Sequence, residues 1–197
     1  VDAREAILQA LRRAGVPASP LPDLAGLGAS YADLGQQYAR ALESVAGACQ
    51  RVADRAAANQ ALAELPVYRD AKKIVSLVAG VGRGNLDLAT ISDPHELDGL
   101  DVAVLPGEIA VAENGAVWVD GSALPHRAVF VVCEHLVLVV DAKDIVADMH
   151  EAYARLATRP VGYGTFISGP SKTADIEQAL VTGAHGARSC TVLVIGS

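Results

Sequence analysis

The spacing of apolar residues changes along the chain. Near the start, Ile7, Leu8 and Leu11 share one helical face while Arg4, Arg12 and Arg13 stay in water, which predicts a short amphipathic helix over residues 2–14. Gly15 and Pro17 end it. Residues 17–30 are rich in Pro, Gly and Ala and lack a period, so they read as a linker. The expected organisation is an N-terminal helical arm with its linker, residues 1–30, and a main domain, residues 31–197. Helical spacing returns over 31–45, with Leu34, Tyr38, Leu42 and Val45 on one stripe, and again over 53–65. A short strand at 49–52 separates the two.

From Lys73 onward the period shortens. Segments 74–78, 102–105, 109–112, 117–119, 128–133 and 136–140 are short and β-rich, and several are unbroken apolar runs. A strand that is apolar at every position has both faces buried, so these runs predict a sheet covered on both sides. Asn114-Gly115 between two such segments signals a type I′ hairpin and hence an antiparallel pair. Helical spacing over 144–157, a strand over 161–168, a helix over 173–181 and a last strand over 191–195 complete the order. The expected fold is α/β, a three-layer α/β/α arrangement on a mixed, mainly parallel sheet, preceded by the helical N-terminal arm.

Composition narrows the function classes. The chain is 51% hydrophobic but only 4% aromatic, so its core must be aliphatic. A net charge of −7 leaves no broad basic footprint for phosphate backbones or anionic membranes, and no nucleic-acid partner is expected. The longest apolar runs fall far short of the ~20 residues that span a bilayer, so no membrane insertion is expected either. Cys49, Cys133 and Cys190 are odd in number, far apart and in apolar stretches. They read as small buried hydrophobes in a reducing cytoplasm, with no metal and no cluster held by this chain.

The run Ser168-Gly-Pro-Ser-Lys-Thr-Ala-Asp-Ile-Glu177 follows a predicted strand and opens a predicted helix. Gly169 permits a tight turn and Pro170 stiffens it. Ser171, Lys172 and Thr173 then offer donors where free helix N–H groups point, which suits a bound anion. The same residues also suit a plain helix cap, since Asp175 and Glu177 complement the helix dipole and repel an anion. The run is not a P-loop, because Pro170 stands where the lysine belongs. Gly80-Val-Gly82-Arg-Gly84 lacks the third glycine of a dinucleotide fingerprint. Glu113 sits at a strand end, either as a carboxylate nucleophile or base or as part of the turn with Asn114 and Gly115. Cys133 and His135 share a face if that segment is a strand, a two-ligand start to a metal site without partner spacing. His185, flanked by glycines, is either an acid or base or a helix C-cap. His95, His126 and His150 read as surface residues.

The run Gly169–Glu177, followed by Leu180-Val-Thr-Gly-Ala-His-Gly186, resembles the hallmark end of the lactate-utilisation protein C family, whose members carry a LUD domain. The strand from Cys133 to Val140, the hairpin from Ala112 to Val119 and the N-terminal arm fit the same family. The resemblance implies an open α/β/α fold akin to the ribose-phosphate isomerase, glucosamine-phosphate deaminase and CoA-transferase superfamily. It implies a part in oxidising L-lactate to pyruvate beside partner subunits that carry iron–sulfur clusters, with none bound directly by this chain. The family usually has Gly-Thr or Gly-Ser in the hairpin turn, whereas Ala116 follows Gly115 here, so a hydroxyl is missing. The turn is similar instead to the Glu-Asn-Gly signature of CoA-transferases, which implies Glu113 as a nucleophile toward acyl-CoA. A non-catalytic scaffold is the third reading. The expected site thus comprises Glu113 and His185 as catalytic groups. Gly169, Pro170, Ser171, Lys172, Thr173, Asn114, Gly115 and Gly186 hold a small anionic metabolite.

Overall fold

The computed structural model describes residues 2–15, 19, 20, 22, 23, 26, 28–122, 124–158, 162–173 and 181–196. Its first three helices all begin at an aspartate that accepts an N–H the helix itself cannot satisfy. Asp2 accepts from Arg4 at α1 (Ala3–Arg13), Asp33 from Gln36 at α2 (Leu34–Ser44), and Asp54 from Ala57 at α3 (Arg55–Glu64). β1 (Ala48–Val52) lies between α2 and α3, and Pro66 opens the single turn α4 (Pro66–Arg69). No residue of α1 is buried, so the arm is amphipathic but leaves Ile7 and Leu11 largely exposed.

β1, β2 (Ile74–Ser76), β3 (Val102–Pro106), β6 (His135–Asp141) and β11 (Ser189–Ile195) form an all-parallel sheet in the order β1-β11-β6-β3-β2. The hairpin strands do not join it. β4 (Ile109–Val111), β5 (Ala116–Asp120), β7 (Ile145–Val146) and β8 (Gly164–Ile167) make a second, mixed sheet in the order β7-β4-β5-β8. The two sheets share one core. Ala103, Leu105, Leu136, Leu138, Val140, Cys190 and Val192 of the parallel sheet meet Ala110, Val117 and Val119 of the second sheet, with Tyr38 and Leu42 of α2 between them. On the far face of the parallel sheet, Val102, Val104, Val137, Val139 and Leu193 pack under Ala58 and Leu62 of α3. On the outer face of the second sheet, Ile109, Val111 and Trp118 lie under Ala152 and Leu156 of α6 (Met149–Leu156). β3 and β6 of the parallel sheet and β4 and β5 of the second are therefore covered on both faces, which is why their sequences do not alternate.

Four local expectations are corrected. Residues 128–133 are not a strand: Val131 and Val132 N–H both donate to Ala128 O at 2.9 Å, closing the one-turn helix α5 (Val129–Val132). Val129 and Phe130 are buried while Val131 and Val132 are exposed, a two-in, two-out pattern that a turn of helix satisfies. Residues 144–157 do not form one helix. A 3₁₀ turn (Ala142–Asp144) leads into β7, which pairs with Ala110 and Val111, and α6 starts only after Asp148. Asp148 accepts from Glu151 N while Glu151 accepts from Ala147 N, a reciprocal cap. The hairpin turn is not type I′. It has four residues, is closed by Gly115 N–H donating to Val111 O, and only Gly115 takes positive φ (+68°). The predicted helix over 173–181 fails at both ends, where β9 (Lys172–Thr173) pairs antiparallel with β10 (Val181–Thr182). Residues 174–180 lie outside the described residues.

Candidate functional site

The turn after β8 is built against the C-terminal end of α2. Gly169 has φ +72°, and a Cβ there would stand 2.5 Å from Val45 O, so both the dihedral and the close approach require glycine. Gly115 meets the same helix end, with a hypothetical Cβ 2.6 Å from the Leu42 backbone. Ser168 Oγ donates to Asn114 O at 2.8 Å and joins the two turns. Lys172 Nζ donates to Val45 O, the cap carbonyl of α2. Its ammonium thus caps a helix C-terminus, where a cation is favoured. On the other side, Ser171 N–H donates to Ala187 O and Gly183 N–H to Ser171 O, both at 2.9 Å. The turn 169–171 is therefore zipped to the glycine-flanked loop that carries His185.

Between these segments lies a cavity of about 520 Å³. Gly169, Pro170, Ser171, His185 and Gly186 line it, so five of the expected site residues meet in one place. Glu113, Asn114, Gly115, Lys172 and Thr173 are not among its lining residues. Glu113 is exposed, and its Oε2 accepts from Met149 N–H at 3.1 Å at the start of α6. Asn114 Oδ1 accepts from Ala116 N–H. Residues 172–173 are extended and pair with residues 181–182.

The remaining walls come from residues the sequence reading passed over: Arg127, α5 with Phe130 and Val131, Tyr163, and Thr165 and Phe166 of β8. Both phenylalanines and one of the five tyrosines of the chain are among them. Only the fold shows that Phe130 and Tyr163 converge, whereas the Phe166 ring packs on Trp118 and on Tyr153 of α6. Arg127 lies over the Tyr163 ring, its guanidinium carbon 4.6 Å from the centroid, and Phe130 stacks near Tyr163 at 6.4 Å and 19°. Leu136 and Ala187 place the cavity at the N-terminal ends of β6 and β11. This is the edge opposite to the one where open α/β sheets usually bind ligands.

A second cavity of about 530 Å³ shares Val131, His185 and Gly186 with the first. Its Glu134 and Arg188 are already paired at 2.7 Å. Beneath the turn, burial pushes the Cys190 thiol up to about 12, with Cys133 beside it adding to the rise and the Gly169 amide opposing it. Burial does the same to Cys133, also to about 12. Cys133 ends α5 instead of sharing a strand face with His135, and His135 Nδ1 lies 2.8 Å from Ser189 Oγ. Among the described residues, no group of three or more His, Cys, Asp or Glu side chains is placed to hold a metal ion. His95 and His150 are exposed, but His126 is half-buried with Nε2 2.9 Å from Ile91 O. The Gly80–Gly84 loop is satisfied internally, as Gly82 N–H donates to Asn59 and Arg83 N–H to the Tyr68 hydroxyl. No helix among the described residues is long and apolar enough to cross a membrane.

Comparison with known proteins connects this geometry to a family. The sequence profile of the LUD domain matches residues 95–195, which include β3 to β11 and every cavity-lining residue. Lactate utilization protein C of Shouchella clausii (strain KSM-K16) is 35% identical over 101 residues, covering 48% of this chain and 44% of that protein. The protein of that name from Deinococcus radiodurans is 33% identical over 107 residues, covering 51% and 49%. The chain thus spans about half the length of the curated relatives it matches. A crystal structure of a DUF162 family protein from Deinococcus radiodurans shares the fold, with a TM-score of 0.62 and 21% identity over 85% of this chain and 99% of that one. With half of its length matched by the profile, the chain belongs to the LUD domain family, of the lactate utilization protein C kind.

Proposed function

We propose that the chain is a cluster-free subunit of a lactate-utilisation system, supporting oxidation of L-lactate to pyruvate, and that the cavity beside Gly169 and His185 binds a small organic anion. The observation that carries the role is family membership beside proteins named lactate utilization protein C. Charge supports the anion: Arg127 lines the cavity beside His185, and among the described residues no Asp or Glu does, in a chain of net charge −7. In this reading the electrons released by L-lactate pass to iron–sulfur clusters held by partner subunits.

Deleting the gene should abolish growth on L-lactate as sole carbon source, spare growth on pyruvate, and be reversed by restoring the gene. The tagged protein should co-purify with iron–sulfur proteins. Undiminished growth on lactate would sink the proposal.

A further inference from the structure

We infer that Arg127, held over Tyr163 at the rim of the cavity, receives the carboxylate of an aromatic acid whose flat, apolar body is several times the size of lactate. The inference rests on reading this cavity as the ligand site.

Three observations carry it. The first is the state of Arg127. Its guanidinium is exposed, sits 4.6 Å from the Tyr163 centroid, and pairs with no carboxylate among the described residues. A guanidinium held over a ring face by its charge keeps N–H donors for a carboxylate, which it can meet through two parallel hydrogen bonds. The other basic side chain near the turn, Lys172, is already used by Val45 O. Arg188, in the neighbouring cavity, is used by Glu134.

The second is size. A water molecule occupies about 30 Å³ of liquid. The cavity of about 520 Å³ therefore corresponds to roughly 17 waters, and lactate would leave most of it wet. Volumes of this order suit ligands of drug-like size.

The third is the character of the walls. Val131 and Ile167, with the nearly buried Phe130 and Leu136 behind them, give apolar walls, and Phe130 and Tyr163 lie within 19° of parallel; the Phe166 ring itself packs on Trp118 and Tyr153. Apolar walls with a few convergent polar groups orient an amphipathic ligand by its charged end. Flat rings favour a flat body.

The test is calorimetric titration of the full chain with 2-naphthoate, its neutral analogue 2-naphthamide, and L-lactate. Wild type should bind 2-naphthoate at least tenfold more tightly than either of the others. Arg127→Met keeps the aliphatic stem and should weaken 2-naphthoate about tenfold while leaving 2-naphthamide unchanged. Val131→Trp, at an exposed position that lines the cavity, should weaken both. Equal binding of 2-naphthoate by wild type and Arg127→Met, with loss in Val131→Trp, would overturn the role of Arg127 and leave the cavity as the site. L-Lactate binding as tightly as 2-naphthoate would overturn the size argument. Absence of any binding, or indifference to Val131→Trp, would remove the cavity itself as the ligand site and the inference with it.

Discussion

Single residues at the turn divide into those that shape it and those that face the cavity. Gly169 shapes it, because its left-handed backbone and its approach to Val45 O admit no side chain. Gly169→Ala should cost about 2–3 kcal/mol, lowering Tm by roughly 5–10 °C in a chain of this size. Lys172→Ala should cost only about 0.5–1 kcal/mol, since an exposed charge-assisted contact to a helix end is a small contribution. Thermal and urea unfolding of the two variants side by side check the contrast, and comparable losses would refute it. The glycine and proline of this turn were legible in the sequence because tight backbone geometry needs those residue types. The work of Lys172 was not, because its partner lies 127 positions away. Arg127 escaped notice for the same reason: its ring partner and its cavity are assembled from distant segments.

Among the elements, those with a side-chain cap and a full apolar stripe were readable, as α2 and α3 show with Asp33 and Asp54. Short apolar runs were not, since a turn of helix and a buried strand of four residues share a composition, and α5 is the instance. The start of α6 could have been placed from Asp148-Met-His-Glu151, whose spacing is that of a capping box. The arm follows from the same logic. Since α1 buries nothing, a chain beginning at Gly28 should unfold at the same temperature as the full chain. A Tm drop of more than a few degrees would show that the arm is part of the fold. Keeping Ala29 matters, because its N–H donates to Asp148 Oδ2 at 2.9 Å.

The parallel sheet of the whole molecule was legible from unbroken runs such as Val102–Leu105, whereas its separation from the hairpin sheet was not, because periodicity carries no information about which strands pair. The ionisable groups fixed by this architecture set a pH range for stability. Backbone N–H donors hold the carboxylates of Asp101 and Asp148 below the ordinary value of 3.8. Their stabilisation is present above that value and disappears as pH falls through the lower folded value. Burial raises Cys133 and Cys190 from 9.0 to about 12, so the folded state keeps their protons. That stabilisation is complete below pH 9 and is lost as pH climbs toward 12. The urea midpoint should therefore be flat between these limits and fall outside them. Asp148→Asn should make the acid side shallower, since Asp101 still contributes, and leave the alkaline side unchanged; an unaltered acid side would refute the assignment.

The bond between Ala29 and Asp148 also sets how far the arm can travel. Anchored at residue 29 and helical up to residue 13, the arm hangs on about 15 residues, a tether of at most roughly 50 Å. A domain of this size is only about 40 Å across. Any surface that the exposed Ile7 and Leu11 grip, on this chain or on another, therefore lies within that contour plus the length of the helix from Ala29.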